Sequence, residues 1–555
     1  MGLCSVERVL YQKRFGFREL KSATVLVQRI EPPLLWAPFR PLFGHVKVET
    51  DLTDTVIVRS EHMTIPSEAG FAHLVNKRSH TESLSDEIAP NVVQSCHSGC
   101  PTQHLCLHHT ETTVQYDPGD VPSEQPIVGE GLSVVCNGEI YNHKDIKAES
   151  NAQLTNDGSD CAAIIHAFIN SGYNLREACA NLDGVFAFVM ADKNNIYIGR
   201  DPLGVRPLFY GFSGSGALII GSEVKCTEQL CDRLDFFPPG CCAVVPIHGR
   251  TRSIAVQHYY SIPCIADRFL SIPNAQTLIK DILIKSVEKR LMGNRQFGFM
   301  LSGGLDSSLI ASIATKFLSK KPIAFSVGFE DSPDLESART VAEYLNIPHD
   351  VLVITPEECL KVVPEVIYAL ETFDPLIIRC GIAHYLLCKH IAKTSDVKVL
   401  LSGEGADELF GSYAYMQRAP NAFHLHKEIL RRLTHLHQYD VLRFIDLVAR
   451  LPPAYKLIPM KLEKFILRSA FDGWLPDEVL WRSKEGFAEA LGKTDLGDIV
   501  HQHASTLISE KLFSERADRF PDRTPETPEE YWYRQIFEDT FHYGKVGPLV
   551  HTKVY

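Results

Sequence analysis

The sequence predicts two folded units of different class. An α+β unit of mostly antiparallel sheet is expected over roughly residues 96–245, followed by an α/β unit with a doubly wound parallel sheet over roughly 260–555. Three observations carry this. The run F-G-F-M-L-S-G-G-L-D-S-S at 297–308 reads as a buried strand, a glycine turn and a helix start. Strand-like and helix-like stretches alternate after it, which is the pattern of a parallel sheet. Before it, short apolar or alternating runs are joined by Gly, Asn and Asp turns, which is the pattern of antiparallel sheet.

Length and charge narrow the function. At 555 residues, with 45% hydrophobic and 22% charged residues, the chain is too long for one ordinary core and has a globular composition. A net charge of -12 argues against a general nucleic-acid binder, and no apolar run reaches membrane-spanning length. Fifteen cysteines without a secretory hydrophobic segment fit reduced thiols in the cytosol. Residues 1–95 carry no motif and are left unassigned; over 1–30, six Lys or Arg against two Glu describe a basic surface segment.

In the first unit, strands are expected at Leu132–Cys136, Val185–Met190, Ile196–Gly199 and Leu218–Gly221. They sit among C-N-G-E-I-Y-N at 136–142, D-G-S-D at 157–160, L-D-G-V-F-A-F-V at 182–189 and G-R-D-P-L-G-V-R-P-L at 199–208. Taken alone, Asn137-Gly138 marks a hairpin turn.

In the second unit, Leu278, Ile279, Ile282, Leu283, Val287 and Leu291 give an amphipathic helix over Asn274–Met292. The strand at Phe297–Leu301 then breaks at Ser302, Gly303 and Gly304, and the first turn of the next helix carries Asp306, Ser307 and Ser308. Backbone N–H groups and hydroxyls at such a turn suit an anion, and Asp306 suits the magnesium that accompanies a polyphosphate. No Gly-Lys-Ser/Thr follows, so this is not a Walker loop. Next come a strand at Pro322–Gly328, a helix capped by Ser332 and opened by Pro333, and a strand at Val351–Ile354. A further strand, Val397–Leu401, ends in S-G-E-G-A-D-E-L-F-G at 402–411. Ser402, Gly403, Glu404 and Asp407 thereby come to the same sheet edge as Ser302. Glycines at 403 and 405 suit close approach to a ligand.

The 302–308 loop resembles the pyrophosphate loop of the N-type ATP pyrophosphatases. From Gln125 to Val245 the chain resembles the glutaminase domain of class II glutamine amidotransferases, a sheet sandwich of the N-terminal-nucleophile type. A longer series adds E-D-S-P-D-L at 330–335, L-E-T-F-D at 370–374, W-R-S-K-E-G-F at 481–487 and Y-W-Y-R-Q-I-F-E at 531–538. With S-G-G-L-D-S-S and S-G-E-G-A-D-E-L, it resembles glutamine-hydrolysing asparagine synthetase over roughly 125–540.

That resemblance implies a carbon–nitrogen ligase that joins ATP, aspartate and nitrogen from glutamine or ammonia, through a β-aspartyl adenylate, to asparagine, AMP and pyrophosphate. Leu301, Ser302, Gly303, Gly304, Asp306, Ser307, Ser308, Val327, Ser402 and Gly403 would contact ATP. Asp306 and Asp407 would hold Mg2+, Lys484 would bind pyrophosphate, and Glu404 would take the proton from the attacking amine. Asn137 and Gly138 would form an oxyanion hole, Glu139 would help to hold glutamine, and Asp160 would grip its α-ammonium. A homodimer is compatible with the resemblance.

Three departures are visible. The family's glutaminase uses an N-terminal cysteine whose α-amine is the base, and this sequence reads Met1-Gly2-Leu3-Cys4, which predicts a damaged glutaminase. No Lys or Arg stands between Arg78 and Lys144, where the family places the arginine that clamps the glutamine carboxylate. After Arg443 the chain passes straight to Phe444-Ile445-Asp446, without the family's segment that carries an arginine and a P-F-L-D turn. The rival readings are a pseudoenzyme that keeps the fold for a regulatory or partner-binding role, and a ligase of the β-lactam-synthetase kind.

Overall fold

The computed structural model describes strands at 24–29, 46–50, 56–60 and 103–108, and residues 125–546 except 156, 248–252, 268, 294, 434–442, 457–461, 484–490 and 493–494. The first unit is two antiparallel sheets. Six strands run in spatial order 256–258, 241–246, 195–200, 184–191, 132–140 and 127–129; five run in the order 233–236, 209–212, 218–221, 24–29 and 103–108. The strand at Thr24–Arg29, inside the segment without motifs, pairs with Leu218–Gly221 on one side and Gln103–His108 on the other.

The strand Gly184–Ala191 shows why the sequence folds this way. All eight of its residues are buried, so it reads as a continuous apolar run and not as an alternating one. Its side chains still alternate in space: Ala187 and Val189 join the layer between the sheets with Ile196, Ile198, Leu218 and Ile220. Phe186, Phe188 and Met190 face the other way, against Ile164 and Phe168 of the helix Ala163–Asn170. Asn137 and Gly138 lie inside the strand Leu132–Ile140, opposite Ala187 and Phe186. The hairpin turn that Asn-Gly suggests by itself is not formed there, because the neighbouring strand continues the ladder past it.

The second unit is built on a parallel sheet in spatial order 349–353, 323–328, 297–300 and 399–401. The chain moves outward from Phe297–Met300 through two strands, then returns to pair Val399–Leu401 on its other side. The order therefore reverses beside Phe297–Met300, and a crevice opens beyond the carboxyl ends of these two strands. The helix Ile272–Arg290 covers one face with Ala275, Ile279, Leu283 and Val287; Leu278, expected inward, is 39% exposed because the turn of the helix carries it off that face. Ser332 occupies the cap position of the helix Pro333–Tyr344 but makes no side-chain cap bond. Residues Arg443–Arg450, at the join noted in the sequence, form a helix. Downstream of it, Lys456 is buried without a hydrogen bond to its amine, and burial pushes that amine down to about 7.

The two units share a core. Val185, Leu203 and Val205 of the first pack with Ala275, Ile279 and Leu309 of the second. Glu371, in a left-handed conformation at φ 56°, accepts the backbone N–H groups of Val224 and Lys225 at 3.0 Å each. No helix among the described residues is long and apolar enough to cross a membrane.

Candidate active site

Two loops meet at the crevice. The first leaves the buried strand Phe297–Met300 and enters the helix Leu305–Thr315. Gly303 has φ +73°, and a Cβ there would stand 2.4 Å from the backbone nitrogen of Ala338, so only glycine lets the turn lie against the helix Pro333–Tyr344. The turn is tied internally: Ser302 N–H donates to Ser307 Oγ at 3.2 Å, Gly304 N–H donates to Ser302 Oγ at 3.3 Å, and the two hydroxyls stand 3.1 Å apart. The second loop follows Val399–Leu401 and leads into the helix Ala406–Phe410. A Cβ on Gly403 would lie 2.5 Å from both the carbonyl carbon of Asp306 and the nitrogen of Ser307. The two loops thus touch backbone to backbone.

Gly403→Ala is accordingly expected to force the loops apart. Overpacking of this kind costs about 1–3 kcal/mol, and ATP affinity should fall with it. Thermal unfolding and nucleotide titration check this; a variant that melts and binds ATP like the parent would show that the loops tolerate separation.

One cleft collects most of the residues expected from the sequence. Leu301, Ser302, Gly304, Asp306, Ser307, Val327, Ser402, Gly403, Glu404 and Asp407 all line it. Gly303 lies behind its surface against the neighbouring helix, and Ser308 is fully buried in the body of its own helix. Lys484 lies outside the described residues. The cleft opens to solvent at its mouth.

The cation that pairs with its carboxylates was not evident from the sequence. Lys464 Nζ sits 2.5 Å from Asp306 Oδ2 and 2.6 Å from Asp407 Oδ1, with 1% of its side chain exposed. Its backbone is left-handed at φ 56°, a conformation that costs a non-glycine residue about 1–3 kcal/mol and persists only where the surroundings enforce it. Behind it, Arg468 Nη2 pairs with Glu463 Oε1 at 2.5 Å, and Arg482 Nη1 reaches Asp334 Oδ1 at 3.0 Å. Only the identity K-L-E-K-F-I-L-R at 461–468 hinted at this: a charged pair set among apolar residues signals buried partners, but not which ones.

A divalent cation fits here on one observation. Asp306 Oδ1 is buried and makes no hydrogen bond, so a hard oxygen donor stands open beside a second carboxylate. Among the described residues no cluster of three or more His, Cys, Asp or Glu side chains could hold a metal ion, so polyphosphate and water would complete its shell.

In the first unit, Asp160 Oδ2 accepts the N–H of Ile140 at 2.6 Å, and the Cys161 thiol donates to the Gly138 carbonyl at 3.5 Å. The D-C pair therefore braces the strand end that carries Asn137, Gly138 and Glu139. Burial pushes Glu139 well above the ordinary carboxylate range, and Asp160 beside it adds to the rise. Asp160 is itself raised by burial, against the opposing hydrogen bond from Ile140.

Known sequences agree with this architecture. The profile of the family described as asparagine synthase matches residues 278–442 and 439–546, its break falling at the Arg443 join, and that of the glutamine amidotransferase domain matches 116–229. Glutamine-hydrolyzing asparagine synthetase 3 of Arabidopsis thaliana is 35% identical over 80% of this chain and 81% of its own. Glutamine-hydrolyzing asparagine synthetase 2 of Oryza sativa subsp. japonica is 34% identical over 80% and 79%, and asparagine synthetase 1 of Lotus japonicus 35% over 75% and 76%. Among solved structures, NMN synthetase from Francisella tularensis aligns with a TM-score of 0.23 and 16% identity, over 51% of this chain and 99% of that one. The chain belongs to the family of glutamine-hydrolysing asparagine synthetases.

Proposed function

We propose that this chain amidates aspartate to asparagine at the expense of ATP, releasing AMP and pyrophosphate. The observation that carries the reading is the convergence of the 302–307 and 402–407 loops, with Lys464 between Asp306 and Asp407, at the point where the sheet order reverses.

The geometry divides the labour. Ser302 and Ser307 bring two hydroxyls together at the start of the helix Leu305–Thr315, where they would meet phosphate oxygens. Lys464 places a cation between the loops, where negative charge gathers as pyrophosphate leaves. Asp306 and Asp407 would hold magnesium, which when bound neutralises polyphosphate charge. Leu301, just past the strand Phe297–Met300, and Val327, on the strand Ile323–Gly328, give the nucleotide an apolar wall. Glu404 takes the proton from the nitrogen that attacks the activated carboxyl. Within the same proposal, residues 96–245 form the glutaminase unit and 260–555 the synthetase unit. Asn137 and Gly138 serve the oxyanion, Glu139 and Asp160 hold glutamine, Lys484 meets pyrophosphate, and the protein works in the cytosol as a homodimer.

The test incubates the full chain with ATP, Mg2+, aspartate and ammonium, and counts asparagine, AMP and pyrophosphate. Equal amounts of the three are expected. Absence of aspartate-dependent pyrophosphate release would overturn the reading.

A further inference from the structure

The Lys and Arg side chains that line the cleft are Lys464, Arg468 and Arg482, and they are held differently. Arg468 is pinned: it donates to the backbone carbonyls of Glu463 and Leu480 as well as to the Glu463 carboxylate. Arg482 reaches Asp334 at 3.0 Å. Lys464 bonds instead to the two carboxylates that the proposed function gives to magnesium, 2.5 Å from Asp306 Oδ2 and 2.6 Å from Asp407 Oδ1. An ion of magnesium's size bound by both carboxylates needs their oxygens at about 2.1 Å, and the ammonium fills that space. Charge points to the same exclusion. Two carboxylates and one ammonium leave a single negative charge, so a bare divalent ion added to them would make the cluster net positive. Only 1% of the Lys464 side chain and 15% and 14% of those of Asp306 and Asp407 are exposed, so water screens that excess little. A polyphosphate reverses the balance, because its negative charges accept ammonium and metal together. Lysine suits such an exchange, since its ammonium rides on a flexible four-carbon stem. Asp306 Oδ1, buried and without a hydrogen bond, gives an arriving ion an oxygen to meet before the ammonium leaves.

We infer that Lys464 makes the cleft selective for a metal–nucleotide complex over the bare metal. Without nucleotide, its ammonium stands in for the divalent ion between Asp306 and Asp407. When the complex enters, the ammonium moves onto phosphate oxygens and leaves both carboxylates to the metal. Lys464 is thus a specificity-determining residue, and its exchange of partners couples metal binding to nucleotide binding. The inference rests on the reading of Asp306 and Asp407 as metal-holding residues.

The test reads metal binding and not turnover, with Mn2+ as the probe because electron paramagnetic resonance counts the free ion directly. Mn2+ is titrated into the full-length parent, Lys464→Met and Lys464→Gln without nucleotide, and the melting of each is recorded. Both variants are expected to bind bare Mn2+ about tenfold more tightly than the parent, or better, since a positive charge next to the ion has been removed. Adding Asp306→Asn to either variant should erase the gain, which assigns it to this cleft. Gln keeps an amide N–H for the carboxylates, so it carries the test if Met fails to fold. A second arm adds a non-hydrolysable ATP analogue, with which the parent should bind Mn2+ and lose that binding on Asp306→Asn. Two results overturn the inference alone: Lys464 variants that bind bare Mn2+ no more tightly than the parent, or a gain that survives Asp306→Asn. If Mn2+ binding with the analogue is indifferent to Asp306→Asn, the metal reading of these carboxylates fails, and the inference fails with it.

Discussion

Asp306→Asn is expected to abolish aspartate-dependent pyrophosphate release while leaving the fold intact. The side chain bonds Lys464 through Oδ2 and presents a buried, unbonded Oδ1 to the cleft. Asparagine keeps its size and one carbonyl oxygen but removes the charge, and Lys464 is left with Asp407 alone. Losing one preorganised electrostatic partner at a reacting centre typically costs about 10²–10³ in rate, and this residue pairs with the lysine and, in the proposed function, would hold the metal. The packing around it changes little, since no apolar contact is lost. Glu404→Gln makes the complementary prediction: it retains shape and removes the proposed base, so asparagine formation should fall by about 10²–10⁴. Both variants should melt like the parent. If neither changes pyrophosphate release or asparagine formation, the synthetase reading of this cleft is wrong.

Glutamine should drive synthesis far less well than ammonium. The proposed glutamine-binding residues Glu139 and Asp160 are two buried carboxyl groups, both raised by burial. They suit the α-ammonium of glutamine. The α-carboxylate needs a cation, and residues 79–143 contain no Lys or Arg. A charge-assisted hydrogen bond of this kind contributes about 1.5–3 kcal/mol, and each 1.4 kcal/mol is tenfold in affinity. Its loss therefore weakens glutamine binding by about ten- to a hundredfold. Ammonia enters after the glutaminase step and does not meet this pocket. The measurement compares asparagine formation from glutamine and from ammonium at matched, subsaturating concentrations. Glutamine matching ammonium would mean that the carboxylate is clamped by a residue outside this stretch.

How far the chain can be read without its fold differs from residue to residue. The strand, turn and helix at 297–315 were legible because their signals are local: an apolar run, two glycines and a periodic helix all act within one or two turns of chain. The alternation after them specified a parallel sheet, and the ends of parallel strands are where a ligand loop belongs. The sequence thus determined that the 302–307 and 402–407 loops share an edge.

It did not determine what neutralises them. Lys464 is 158 residues from Asp306, and a lysine in an apolar run looks the same in sequence whether its amine reaches water or two buried carboxylates. His384, which lines the cleft from the helix Pro375–Thr394, shows the same limit, since the face of a helix that meets a cleft depends on the helix's rotation in the core and not on its own periodicity. Asn137-Gly138 shows the reverse case. Its local preference is a turn, yet it lies in a strand, because eight residues of the neighbouring strand pair with it and with its flanks from Ser133 to Ile140. Local steric and apolar patterns were enough for the elements and their order. The pairing of charges across long stretches of chain, and the override of a turn by a ladder of hydrogen bonds, are properties of the packed molecule, because their free energy comes from desolvation and contact that exist only once the layers have closed.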